Sequence, residues 1–384
     1  MTQSHAVAIP PLRSWTTDIL LPFWASKGFD EKRGCFVEQL ALDGTPNDPG
    51  FTRFRVQARQ TYVFAHAHIL GAGDYALPRA LDGFAFLKRC WSEKDGGFPM
   101  RLTLDAEIVD PTIDLYDHAF AILALAWMHR ATGEQEPLDW AERVLSLITE
   151  RMAHPAGGFV EQLPVDSSKP RRQNPHMHLL EAFLAAHAAT RDARWLAQAE
   201  NMVGLLIDHF LDDQGTLAEF FDDEWRLKQG HEGQIREPGH QFEWVWLLNR
   251  YRAQGGARDV DEIADRLMTF GVRHGIDTSE GQVLAAFNEI APDGQIIDGS
   301  KRFWPQTEAI RAFAVMHEQA EDEGAAEMVR TLLAMLFQHY LSAEDGILRD
   351  GLSRDGTACD PFSPSSSLYH LWGAILEARD LIDG

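Results

Sequence analysis

His178-x-x-Glu181 and His240-x-x-Glu243 each set an imidazole and a carboxylate one helical turn apart, and another histidine, His370, stands near the end of the chain. Imidazole titrates at about pH 6.5, so these residues can take or give a proton under ordinary conditions. Each lies in one of six polar and aromatic clusters. The clusters are Arg53-Phe-Arg55-Val-Gln57-Ala-Arg59, Asp114-Leu-Tyr116-Asp117-His118, Asn174-Pro-His176-Met-His178, Gly239-His240-Gln-Phe-Glu243-Trp244, Arg302-Phe-Trp304-Pro-Gln306-Thr-Glu308 and Ser365-Ser-Ser-Leu-Tyr369-His370. The His-x-x-Glu pairs also suit a metal. However, the chain has no cysteine ligand pair, no HExxH and no further carboxylates at matching spacing, so no catalytic metal is expected.

Each cluster opens an apolar helical stretch that follows a short glycine-containing strand pair. The strand pairs lie near Gly34, Gly96, Gly157, Gly215, Gly281 and Gly346, a recurrence of about 60 residues that marks a repeat architecture. Apolar periodicity and breakers such as Gly71–Gly73, Gly133 and Gly255–Gly256 predict twelve helices, near 11–27, 55–71, 75–91, 112–131, 136–152, 175–190, 192–210, 239–254, 257–273, 303–320, 322–341 and 364–381. Two helices per repeat and six repeats predict an all-α fold, an (α/α)6 barrel with short β-hairpins at one end. In such a ring the six inner helices run the same way, so all six clusters arrive at one mouth. His240 and His370 would then flank a small ligand, with aromatic faces for the apolar side of a sugar ring and polar groups for its hydroxyls.

Composition agrees with one domain over residues 1–384: the chain is 45% hydrophobic and has no long Pro- or Ser-rich linker. A net charge of −23 argues against nucleic acid and polyanionic partners. The longest apolar run, Ala119–Met128, is about half a membrane span, and Met1–Pro11 shows no charged-then-apolar leader pattern. Cys35, Cys90 and Cys359 fall at unrelated spacings, so neither a disulfide framework nor a CxxC site is expected, and a reducing cytoplasm fits best. No Walker-type loop or GxGxxG appears, so no nucleotide cofactor is expected.

The stretches RFRVQARQTY, DLYDHAF, NPHMHLLEA, PGHQFEWVWLL, WPQTEA and SSSLYH, in this order from about Trp15 to Leu381, resemble the N-acylglucosamine 2-epimerase family. That family includes mannose and sulfoquinovose aldose–ketose isomerases and cellobiose 2-epimerases. The resemblance implies an (α/α)6 barrel and metal-independent acid/base chemistry at C2 of a reducing sugar, without a cofactor. It matches the two acid/base histidines to His240 and His370, and the arginine near the reaction centre to Arg55. It places Asn174, His178 and Glu181 in the Asn-x-x-x-His-x-x-Glu-Ala motif, with His176 the extra histidine. Tyr116, Glu243, Trp304 and Glu308 fall on pocket positions, and Arg236 is the nearest match to a second pocket arginine.

Loss of the C2 proton from an open-chain aldose gives an enediolate conjugated with C1. On this resemblance His370 is the C2 base, His240 the ring-opening and relay partner oriented by Glu243, and Arg55 the stabiliser of charge at O1 and O2. Returning the proton to C1 gives a ketose, and returning it to the opposite face of C2 gives the epimer. The motifs NPHMHLLEA and PGHQFEWVWLL favour a mannose–fructose type isomerase, with a 2-epimerase as alternative. A glycoside hydrolase using Asp114, Asp117 or Glu308 would leave the histidines without a role, and a non-catalytic binding protein would not need them. Arg59 is read as pairing a carboxylate, and Arg171-Arg172 as a solvated loop pair rather than a phosphate site. The expected partner is a small-molecule sugar, with no nucleic acid, no membrane, and a homodimer admissible.

Overall fold

Every residue from Ala119 to Met128 is apolar, and this stretch forms the middle of a helix buried almost all round. In EPLDWAERVLSLITER, by contrast, Pro137, Ala141, Val144 and Ile148 make one buried stripe and the charges lie outside it. This contrast separates inner from outer helices along the whole chain. The computed structural model describes residues 8–384. Residues 1–7, part of the Met1–Pro11 stretch read above for a leader, lie outside the described residues.

All twelve expected helices are present, and a short one is added. In chain order they are α1 (Leu12–Trp15, running through a π turn into Leu21–Ser26), α2 (Phe54–Ile69), α3 (Ala76–Cys90), α4 (Leu115–Thr132) and α5 (Glu136–Arg151). There follow α6 (Gln173–Thr190), α7 (Ala193–Leu205), the short α8 (His231–Gln234), α9 (Pro238–Ala253), α10 (Asp261–Phe270), α11 (Phe303–Ala320), α12 (Glu323–His339) and α13 (Ser367–Asp383). Side-chain caps by Asp114, Asp192 and Asp322 start α4, α7 and α12, and Gly133 ends α4 at φ 72°. Among the described residues no helix is long and apolar enough to cross a membrane.

Helices α2, α4, α6, α9, α11 and α13 contact one another in that cyclic order, and α13 returns to α2. Each also packs on one outer helix: α3, α5, α7, α10, α12 and, for α13, α1. Ring closure is reinforced by strands. Residues Gln39–Ala41 pair antiparallel with Phe362–Pro364, and the Ser365 amide donates to the Glu38 carbonyl.

The six glycine-marked strand pairs appear as backbone pairings Phe29↔Phe36, Ser92↔Gly97, Ala153↔Phe159, Leu211↔Leu217, Ile276↔Ala286 and Leu341↔Leu348. They are not isolated hairpins throughout. Thr52–Arg53, Pro99–Leu102, Ile108–Asp114 and Gln162–Leu163 join into a four-stranded sheet that links three successive repeats, because unpaired strand edges from neighbouring repeats meet at the same end of the ring.

The fourth residue of each of five inner helices ties its helix to the preceding strand. Gln57, Gln241 and Gln306 bond both the amide and the carbonyl of Phe36, Leu217 and Ala286. His118 and His176 accept at Nε2 from the amides of Phe98 and Phe159 and donate from Nδ1 to the carbonyls of Asp114 and Arg172. Both are neutral: burial pushes His118 down to about 4 and His176 to about 3. His176, the extra histidine of its motif, therefore holds the fold. Gln306→Ala should leave both backbone groups of Ala286 unpaired in a dry interior and cost about 2 kcal/mol. Chemical denaturation checks this, and an unchanged midpoint would refute it.

Candidate active site

Side chains near a helix start lean back towards its N-terminus. His240, third in α9, accordingly reaches the strand before its helix, where Nδ1 lies 2.9 Å from Glu219 and 3.7 Å from Glu237. Glu243, one turn further on, is not its partner. Instead Glu243 faces the neighbouring helix, with Oε1 3.7 Å from His178 Nδ1. The expectation that Glu243 orients His240 is thus corrected: same-face spacing placed them together, but the lean of the side chain gives the role to Glu219.

His370 is held in the same manner from another helix. Its Nδ1 lies 2.8 Å from Glu308 Oε1, and Arg311 donates to the other Glu308 oxygen at 2.6 Å. Both histidines therefore commit Nδ1 to a carboxylate and leave Nε2 without a hydrogen bond among the described residues. Trp304 stands beside both, with ring centroids 4.7 Å from His240 and 5.9 Å from His370. Gly239 makes this approach feasible, since a Cβ there would fall 2.4 Å from the Trp304 ring.

The second residues of α2, α4, α6, α9 and α11 are Arg55, Tyr116, Asn174, Gly239 and Trp304, so one helical position supplies much of the expected pocket. Arg55 Nε lies 2.6 Å from Asp117, with Asp114 3.8 Å from Nη2, and its guanidinium lies 4.8 Å from the Tyr116 ring. Tyr116 in turn presents to His178 at 4.8 Å, nearly perpendicular. Asn174 carries a buried Oδ1 with no partner among the described residues. His178 Nδ1 is 3.5 Å from Glu181, which also accepts from the Tyr369 hydroxyl and lies 3.6 Å from Arg311.

The two acid/base candidates are driven apart electrostatically. Burial acts to lower the pKa of His240, but the carboxylates of Glu219 and Glu237 outweigh it and raise the group to about 10. His370 is pushed well below the ordinary histidine value, by burial first and then by Arg59, His178 and Arg311. The surroundings thus favour the protonated form of His240 and the neutral form of His370, the kind of difference that divides acid and base duties between like groups.

Arg236 is not brought to this group. It is buried and donates to Thr216, Asp212 and the carbonyls of Gly233 and Ile235, bracing the chain around α8. Glu219 and Arg311, not singled out from sequence, belong here instead, as does Arg59. Glu219 sits two residues after the paired Leu217, as Glu38 and Glu161 do after Phe36 and Phe159, so aligning the repeats would have exposed it. Arg59, expected to pair a carboxylate, meets none among the described residues. It donates to the Tyr116 hydroxyl at 2.6 Å and lies 4.1 Å from the Phe120 ring and 4.9 Å from Tyr369. Arg311, two turns into α11, bridges Glu308 and Glu181.

His178–Glu181–Glu243 and Glu219–Glu237–His240 each bring donor atoms within 4.8 Å, close enough for a cation. At the second group a metal would compete with the protonation of His240 that the carboxylates favour. Full activity is therefore expected after exhaustive EDTA treatment. Loss on chelation, restored by one divalent ion, would overturn a purely proton-based site.

The sequence signature of the N-acylglucosamine 2-epimerase family (GlcNAc 2-epimerase) matches residues 34–374. A mannose-6-phosphate isomerase from Rhizobium meliloti is 34% identical over 97% of this chain and 96% of its own length. A D-mannose isomerase from Marinomonas mediterranea is 25% identical over 90% of this chain and 91% of its own. The structure of cellobiose 2-epimerase from Bacillus thermoamylovorans shares the fold, with a TM-score of 0.86 at 20% identity over 96% of this chain and 98% of that one. The chain belongs to the N-acylglucosamine 2-epimerase family and is a sugar isomerase or 2-epimerase.

Proposed function

We propose that this enzyme is an aldose–ketose isomerase of the mannose–fructose type, a single (α/α)6 barrel working without metal or cofactor in a reducing cytoplasm. The cyclic contacts of the six inner helices support the barrel, and three free cysteines support the compartment. The observation that carries the reaction is the separation of His240 from His370. The carboxylates beside His240 favour its protonated form and the surroundings of His370 favour its neutral form, which suits a single carbon base and a single oxygen acid.

In this reading His240 donates its Nε2 proton to the ring oxygen as the C1–O5 bond breaks, and the proton released from O1 as the aldehyde forms restores it. His370 Nε2 then removes the C2 proton, the electron pair forms the enediolate with C1, and cationic groups such as Arg55 and Arg59 stabilise charge on O1 and O2. Proton exchange between the oxygens through His240 and return of the proton from His370 to C1 complete the ketose. Tyr116, Asn174, His178, Glu243 and Trp304 line the sugar, and Glu308 fixes His370.

The substrate is unphosphorylated in this reading. Arg53, Arg55, Arg172 and Arg302, the arginines flanking inner-helix starts, are each paired with a carboxylate, respectively Glu38, Asp117, Glu161 and Asp350. Arg171, far from being solvated, is buried against Trp225 and backbone carbonyls. Mannose should therefore exceed mannose 6-phosphate in kcat/KM by about tenfold or more, and in heavy water its first product should be fructose, carrying deuterium at C1 wherever the proton exchanges. Glucose labelled at C2 before any ketose would make the enzyme a 2-epimerase, and preference for the phosphate would reverse the substrate assignment.

A further inference from the structure

At the other end of the inner helices a cavity of about 400 Å³ opens among the C-terminal halves of α2, α4, α6, α9 and α13. That is room for a small organic molecule. In a chain of net charge −23 this cavity is positive: Arg130, Arg250, Arg311 and Arg379 line it against only Glu181 and Glu377. Glu377 is taken up by Arg250 at 2.5 Å and by the Trp246 indole, and Glu181 by Tyr369 and Arg311.

Two cations remain without an acid inside the cavity. Arg130 has no carboxylate within ion-pair distance among the described residues and lies 4.0 Å over the Trp127 ring. Arg379 has a buried Nε–H with no acceptor among the described residues, where the carboxylate within ion-pair distance is that of the exposed Asp380 at 3.7 Å. At the cavity floor Arg311, although paired with Glu308 and Glu181, keeps one donor free among the described residues. It is 3% exposed and lies 3.6 Å over the Trp246 ring, and the free donor is its Nε–H. His66, stacked on Trp127 at 3.7 Å, is held down to about 3, by burial first and then by the charges of Arg130 and Arg379. Unpaired guanidinium groups beside indole and leucine surface are the complement of an anionic group carried on an apolar or ring body.

We propose that this cavity is a second ligand site, divided from the sugar site by the Glu181–Arg311 pair at its floor, for a small organic anion whose carboxylate or phosphate pairs with Arg130 and Arg379 and whose body rests against Trp127 and Trp246. The assignment is independent of the reaction proposed above, and its test reads binding rather than turnover. The full chain is titrated with benzoate, phenyl phosphate and the neutral benzyl alcohol, by calorimetry and by indole fluorescence. Saturable binding of at least one anion, with its affinity weakened about tenfold or more in Arg130→Ala and in Arg379→Ala and unchanged in His370→Asn, is expected. Whichever anion binds more tightly identifies the head group. Arg130 is exposed, so its variant should keep the wild-type circular dichroism. No saturable binding, equal binding of benzyl alcohol, or binding abolished by His370→Asn and indifferent to Arg130→Ala would each overturn the proposal.

Discussion

His370→Asn should fold with unchanged helix content and lose at least about two orders of magnitude in kcat, the scale of a lost general base. Asparagine can still donate to Glu308 but has no nitrogen lone pair to offer C2, so the loss would be chemical and KM should move much less. The wild-type pH profile carries a second mark of the same role. Because His370 is pushed well below the ordinary histidine value, its neutral form persists as pH falls through about 6.5, and the acid limb of kcat should lie below that point. Near wild-type turnover in the variant, or an acid limb at the ordinary histidine value, would remove His370 as the base.

Glu219→Gln should act at the opposite end of the pH scale. The amide still accepts a hydrogen bond from Nδ1 but no longer supplies the charge that keeps His240 protonated up to about 10. Its pKa should fall towards the ordinary range, so the alkaline limb moves to lower pH and turnover near pH 8.5 drops about tenfold or more. Activity at lower pH should largely return, which simple structural damage would not allow. The same charge affects stability. A histidine raised in the fold contributes fully below its unfolded pKa of about 6.5 and loses that contribution as pH rises through about 10. The variant should therefore be destabilised most below that window and least above it. An unshifted alkaline limb would show that Glu219 does not govern His240.

What could be read before the structure was what repeats and what is periodic. The uniformly apolar Ala119–Met128 and the one-sided stripe of Glu136–Arg151 announce an inner and an outer helix by the number of their buried faces. The polar fourth residue of five inner helices marks their junction with the strands. Contacts across the ring were not legible, because local spacing does not encode them. Glu219 lies 21 positions before His240, and nothing within α9 points back to it. His240-x-x-Glu243 suggested a pair that the direction of the side chains separates. Arg236, next to the right motif, spends its donors on Asp212, Thr216 and two carbonyls, whereas Arg59, taken for an ordinary ion-pair residue, lies among aromatic rings near His370.

The seam between Gln39–Ala41 and Phe362–Pro364 joins positions more than three hundred residues apart, and closing a loop of that length costs on the order of 5 kcal/mol of chain entropy. Most helix–helix contacts are sequence-local and can form without meeting that cost. The base cannot. His370 reaches Glu308, and Tyr369 reaches Glu181, only when the final helix docks into the gap between the first and the fifth inner helices. Catalytic competence should therefore be among the last properties the folding chain acquires, with helix content already near its native value while C2 chemistry is still absent.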